Sequence, residues 1–397
     1  MRAQDLDIFV VGNPPPSFGG AYFTFVKITA SNGIVGYGEV YANTFGPSAT
    51  QACIRDVFER YFEGQSVFEI ERIWREAYSS GFTQRPDVSM LGIVSGLEIA
   101  LWDIIGKALE QPVYNLLGGK VREKLRSYTY LYPAEGEDNR IYSDPHLASE
   151  RAKDYVAQGF TALKFDPAGP YTCLDPHQPR LLDLERSAEF CRLIRKAVGT
   201  KADLLFGTHG QFTPSGAIRM AETIAPYQPL WFEEPTPPEL PEQMALVARQ
   251  SAVPIATGER LTCKHEFARV LKAGAAHILQ PATGRCGGIL EGKKIAALAE
   301  AHYAQIAPHL YAGPIEALAN IQLSACIPNF LILESIKTFD GFFAKLLDKK
   351  IEWEQGYVIP PREPGLGRNL NEEVARAHPY TGDALHLEMQ RGDVWPL

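Results

Sequence analysis

The sequence predicts a parallel β/α barrel preceded by a smaller α+β domain. Two observations carry this. Short apolar runs end at Gly207, Glu233, Glu259, Ala282, His309 and Glu334, at intervals of 26, 26, 23, 27 and 25 residues. Runs of that length, stopped by Pro or Gly, read as strands buried on both faces. The intervals hold amphipathic stretches at 215–225, 239–250, 264–273, 288–303 and 315–326. Strand plus helix at this repeat is the rhythm of a (β/α)8 barrel, whose strand C-terminal ends meet on one rim and build the active site there.

Taken in order, residues 22–28 alternate as a half-exposed strand does. With Ser31-Asn32 and the run 33–39 they read as a hairpin. Loops are expected at 12–20, with its three consecutive prolines, and at 43–48. Helical patterns fill 50–117, including a long apolar one at 91–109, and Gly118-Gly119 breaks the chain. The first two barrel strands are expected at 125–131 and 160–166, with a helix over 147–158 between them. An insertion at 167–180, rich in Pro, Gly and Tyr, falls where a βα loop over the active site would lie. A Pro- and Gly-rich stretch from Gly356 then leads into a polar tail. The expected division is a capping domain over 1–120, a barrel over 121–339 and a segment over 340–397 that returns to the capping domain.

A chain of 397 residues, 45% apolar and 22% charged, has room for a barrel and one further domain. A net charge of −8 with no basic block argues against nucleic acid and anionic membrane surfaces as partners. The six cysteines form no CxxC pair, which suits free thiols in a reducing cytoplasm. No apolar run is expected to span a membrane, so a cytoplasmic location is expected.

The strand ends carry the chemistry. Glu233 and Glu259, each closing a buried run, would make a hard oxygen site suited to Mg²⁺. Lys164 and Asp166 share one face by alternation, as a structural ion pair or as part of the site. His209 and His309 lie at the rim and suit proton transfer near neutral pH. Glu334, in apolar surroundings, would have a raised pKa and could donate a hydrogen bond to a developing oxyanion, or merely pair with Lys164. Gln211, Gln280 and Tyr311, beside the same strand ends, are expected to touch substrate. The N–H groups after Gly287-Gly288 open a helix and could hold an anion. The remaining histidines, His386 among them, read as structural.

The run Ala100-Leu-Trp-Asp103 with Leu116-Leu-Gly-Gly119, Trp231-Phe-Glu-Glu-Pro235, Gly258-Glu259, Pro308-His309 and Pro364-Gly-Leu-Gly367 resembles the enolase superfamily, mandelate racemase-like subgroup. Within it, the stretches around His209 and His309 are most similar to sugar-acid dehydratases such as galactonate dehydratase. The resemblance implies a modified (β/α)7β barrel under a cap completed by the C-terminal tail. It implies Mg²⁺ held by acids ending the third, fourth and fifth barrel strands, and removal of the proton α to a carboxylate. By position, Glu233 and Glu259 become metal ligands, and His209, His309 and Glu334 match catalytic groups. The expected partner is a small-molecule sugar acid, and the chain is expected to form a homo-oligomer. Loss of water gives one outcome; racemisation or cycloisomerisation, or a silent barrel that only binds a metabolite, are the alternatives. Three positions depart from the pattern. Gly207 stands where the family has an acid ligand, Asp166 where many members have lysine, and Ala282 where an Asp usually backs the His. Asp166 is the expected replacement for the missing ligand.

Overall fold

The computed structural model describes residues 1–41, 44–82, 84–134, 136–137 and 139–392; Asn43, in the second expected loop, lies outside them. The N-terminal strands β1 (Ala3–Gly12), β2 (Tyr22–Ala30) and β3 (Val35–Glu39) form an antiparallel sheet in that order. The β2–β3 hairpin turns where the sequence places it, with Gly33 N–H donating to Ala30 O. β2 is not half-exposed: Tyr22 to Val26 are all buried, and alternation begins only beyond them. On one side Phe23 meets Phe25 and Phe343, and elsewhere helix α3 covers the sheet.

Three helices follow: α1 (Pro47–Val57), α2 (Ile70–Ser79) and α3 (Val88–Ala108). α3 lies directly on β3, because Gly36 and Gly38 bring no Cβ; one added at either would collide with the carbonyl of Ala100 or Gly96. Contrary to the sequence expectation, α3 is long and apolar enough to cross a bilayer, but here most of it is buried in protein. Its pattern is apolar all round because it packs on several sides.

After the short α4 (Val113–Leu116), eight parallel strands form a ring: β4 (Leu125–Tyr130), β5 (Ala162–Phe165), β6 (Asp203–Gly207), β7 (Trp231–Glu233), β8 (Ile255–Thr257), β9 (Ile278–Leu279), β10 (Gln305–Ile306) and β11 (Leu333–Ser335). Pairing runs unbroken from β4 to β10, and β11 returns to β4. The ring closes where Ile306 bridges Phe330, just ahead of β11. Helices α5 (Pro145–Gln158), α6 (Leu181–Val198), α7 (Pro214–Ile224), α8 (Pro241–Gln250), α9 (Lys264–Ala273), α10 (Ile289–Ala301) and α11 (Pro314–Ala325) alternate with the strands. Four of them begin with Pro, whose missing N–H costs nothing in a first turn, and Asp144 and Thr213 cap two of the same four.

Buried acids join the two parts of the chain. Glu39, at the end of β3, accepts from Gly313 N–H (2.5 Å) and Glu316 N–H (2.9 Å) at the start of α11. Glu98 of α3 accepts from Ile289 N–H (2.8 Å) and Leu290 N–H (2.9 Å) at the start of α10. The anion expected after Gly287-Gly288 is thus the protein's own carboxylate. Asp103 accepts from Leu366 N–H, Tyr37 N–H and Lys107 Nζ. Beyond β11 come α12 (Phe342–Lys345), a hairpin of β12 (Glu352–Glu354) and β13 (Tyr357–Ile359) beside the first residues of β4, and α13 (Glu372–Ala377). The tail then runs back along the N-terminal sheet, with Tyr380 N–H donating to Val10 O and Ala21 N–H to His386 O. At Gln390 it meets the insertion, where Cys173 N–H donates to Gln390 O.

Candidate active site

The strand ends open into a cavity of about 570 Å³ whose floor carries Lys164, Asp166, His209, Glu259, His309 and Glu334. Residues widely separated in sequence are brought together because parallel strands present all their C-terminal ends on one rim. Lys164, on β5, is 2% exposed and reaches across the ring, its Nζ 2.5 Å from Glu233 Oε1 and 3.8 Å from Glu334 Oε1. Glu233 gives its other oxygen to Gln280 Nε2 at 2.8 Å, so both its oxygens are engaged beneath the floor. Gln280 therefore serves Glu233, and Gln211 is likewise occupied, donating to Gly169 O at 2.7 Å and tying down the insertion. Neither amide lines the cavity, whereas Tyr311 does.

His209 sits just past β6 at φ 46°, in the left-handed region that non-glycine residues seldom adopt. That turn aims its ring between two carboxylates: Nδ1 is 3.0 Å from Asp166 Oδ2, and Nε2 is 3.7 Å from Glu259 Oε1. Tyr171, from the insertion, packs on the same ring at 4.3 Å between centroids. His309 approaches Glu259 from the other side, Nε2 to Oε2 at 3.4 Å. Its Nδ1 has no hydrogen-bond partner among the described residues, and the neighbouring strand offers none from Ala282, which has no polar side-chain atom.

Burial and charge push these groups apart. Burial alone would lower the His209 pKa, but Glu259 and then Asp166 outweigh it and raise it to about 9. Burial dominates at His309 and takes it down to about 3, against the pull of Glu259. One imidazole is thus a cation and the other neutral near pH 7. Burial lifts the Glu334 carboxyl to about 7, opposed by Lys164. Glu259 moves the other way: burial would raise it, and positive charge led by His209 holds it low. Lys164 stays charged because Glu233 and Glu334 outweigh its burial.

Two parts of the site gave no sequence signal. One is a tyrosine wall, in which Tyr130 lies 5.4 Å from Tyr132 and 5.8 Å from Tyr142. These rings come from a strand, a loop and a short turn, so no periodicity groups them. The other is the tail, which places Leu387, Glu388 and Gln390 on the cavity lining. Arg285 was also missed; it stacks 4.1 Å from the centre of the Tyr41 ring and donates to Glu259 O at 2.9 Å.

The floor suits a divalent cation. Three carboxylates on the floor (Asp166, Glu259 and Glu334), with Glu233 beneath it, face the positive charges of Lys164 and His209. Asp166 Oδ1 and Glu259 Oε2 are buried with no hydrogen-bond partner, which an oxygen-seeking ion would satisfy. The side chains are not yet gathered: among the described residues, no three His, Cys, Asp or Glu groups form a cluster ready to hold a metal.

Comparison with known proteins agrees with this architecture. Residues 16–118 match the mandelate racemase/muconate lactonizing enzyme N-terminal domain, and residues 147–374 match the enolase C-terminal domain-like family. A D-gluconate/D-galactonate dehydratase of Picrophilus torridus is 33% identical over 96% of this chain and 94% of its own. A D-galactonate dehydratase of Ralstonia pickettii is 34% identical over 88% of this chain and 89% of its own. The crystal structure of a mandelate racemase/muconate lactonizing enzyme from Sulfitobacter sp. superposes with a TM-score of 0.97, at 56% identity, over 99% of both chains. With matching family domains on both parts of the chain and acids and histidines meeting on one barrel rim, this chain belongs to the mandelate racemase/muconate lactonizing enzyme family of the enolase superfamily.

Proposed function

We propose that the chain is a Mg²⁺-dependent dehydratase of sugar acids. It would remove the proton α to the carboxylate and then expel the β-hydroxyl to give a 2-keto-3-deoxy acid. The observation that carries this reading is Glu259 flanked by two histidines, His209 and His309, on a cavity floor. The named activities of relatives about one-third identical over most of the chain support loss of water as the outcome.

Glu233 and Glu259 would hold the metal, which when bound neutralises the substrate carboxylate and the charge that develops on it. The chain's own groups do the rest. Lys164 places a fixed ammonium beside that carboxylate. The neutral imidazole of His309 takes the α-proton. Glu334, protonated part of the time near neutral pH, donates a hydrogen bond to the enediolate oxygen. His209, charged and held by Asp166, gives its proton to the departing hydroxyl, which leaves as water. The tyrosine wall offers hydroxyl donors and ring faces to the polyol. The tail and the insertion keep bulk water from the intermediate.

The test is a screen of aldonic and aldaric acids with Mg²⁺, with keto-acid product read as the semicarbazone. Formation of a 2-keto-3-deoxy acid from at least one of them is expected. No product from any, together with deuterium wash-in at the α-carbon in D2O, would replace dehydration with racemisation.

A further inference from the structure

We propose that Asp166 has taken the metal-ligand place left open at Gly207, so that the third carboxylate comes from the end of β5 instead of β6. The inference rests on the Mg²⁺ reading and adds to it a specific exchange between two positions. β5 and β6 pair in parallel with Phe165 opposite Phe206, which sets Asp166 beside Gly207 as the next pair along the ring. Neighbouring strands lie about 4.8 Å apart, a distance that an Asp side chain leaning sideways can cover.

Asp166 leans in that way. A Cβ built on Gly207 would collide with Asp166 Oδ1 and stand 2.9 Å from its Cγ and 3.3 Å from Oδ2. The carboxylate therefore fills the space that a side chain at 207 would enter. The two positions are mutually exclusive: a side chain at 207 and this Asp166 rotamer cannot coexist. Gly207 is in turn paired with Glu233 on β7, so the displaced carboxylate lies over the strand next to a family ligand.

Two further facts separate a ligand from a packing accident. The Asp166 side chain is only 3% exposed, yet neither Oδ1 nor Oδ2 has a hydrogen-bond partner among the described residues. A buried carboxylate oxygen left without a partner is costly unless a cation completes it. Asp166 makes its only ion pair among the described residues through Oδ2, 3.0 Å from His209 Nδ1, and none through Oδ1. The competing account is that Asp166 only orients His209; metal affinity would then not depend on it.

The experiment is calorimetric titration of the full chain with MgCl2, alongside the melting temperature of each variant. Asp166→Ala is expected to weaken Mg²⁺ binding by at least about 10-fold, the lower end of what even supporting residues contribute at metal sites. Adding Gly207→Asp to Asp166→Ala moves the carboxylate back to β6 and is expected to restore affinity to within about 3-fold of the parent. Asp166→Asn keeps the shape of the side chain and guards against a folding defect; it should melt like the parent and still bind weakly. Parent-like affinity in Asp166→Ala, or a folded double variant that binds no better than Asp166→Ala, overturns the exchange. A parent chain that takes up no Mg²⁺ sinks the functional reading and this inference with it.

Discussion

Two groups of buried acids sit in this molecule, and they are held in different ways. At the seam between the N-terminal sheet and the barrel, both oxygens of Glu39 and of Glu98 are given to backbone N–H groups at helix starts. At the rim, Asp166 and Glu259 face histidines that can change charge, and each keeps an oxygen without a hydrogen bond among the described residues. Glu39 and Glu98 have spent their lone pairs on structure, while Asp166 and Glu259 keep acceptor capacity available. Burial alone therefore does not mark a catalytic acid. At Asp166 and Glu259, burial comes with acceptor capacity left over on a cavity floor.

Glu334 combines the two ways of holding an acid: Leu310 N–H donates to its Oε2 at 2.8 Å, and Oε1 lies 3.8 Å from Lys164 Nζ. Replacing it with Ala should lower kcat by about 10²–10³-fold, as when an oxyanion donor is removed. Glu334→Gln keeps a donor and should retain part of the activity, with little change in melting temperature for either. Equal losses in the two variants would move Glu334 out of the donor role.

Next in size is His309→Asn, expected to cost at least about 10²-fold in kcat, the usual scale for a general base. Its fold should survive, since the ring makes few polar contacts. Near-parental turnover would remove His309 from the proton path and leave His209 to serve alone.

The smallest effect belongs to the seam and should fall on stability instead of rate. Burial raises the Glu98 carboxyl to about 7, against the backbone donors that lower it. A folded-state pKa above the unfolded one adds stability below the unfolded value and loses it as pH rises through the folded value. Stability of the parent should therefore fall between about pH 5 and pH 8, by on the order of 1 kcal/mol from this group. Glu98→Gln should melt lower than the parent at pH 5, because one helix-start N–H loses its acceptor, and should show a flatter pH profile. A profile as steep as the parent's would mean that Glu98 does not titrate there.

The sequence showed the barrel through its periodicity. α9 begins and ends where the amphipathic pattern does, and the runs ending at Gly207 and Glu233 stop with their strands. The later strands are shorter than their apolar runs: β10 ends at Ile306, and His309 lies three residues beyond it on the loop. An apolar run records burial, which continues past the last ladder hydrogen bond. The floor residues were legible because a charge at the end of an apolar run is conspicuous. Gln211 and Gln280 stood at similar places, yet the structure turns them to Gly169 and Glu233, a choice set by neighbours on other strands. The tyrosine wall and the tail were not legible, since nothing local in those stretches records what they meet.

The seam caps also limit how far this enzyme can be treated as two modules. The first turns of α10 and α11 take their acceptors from Glu98 and Glu39, which lie in the N-terminal third of the chain. A barrel expressed alone would begin two of its helices with bare N–H groups facing the removed domain. A foreign cap would have to bring both glutamates at the same height. Replacing the cap would therefore disturb the barrel as well, because the cap is also part of how the barrel folds.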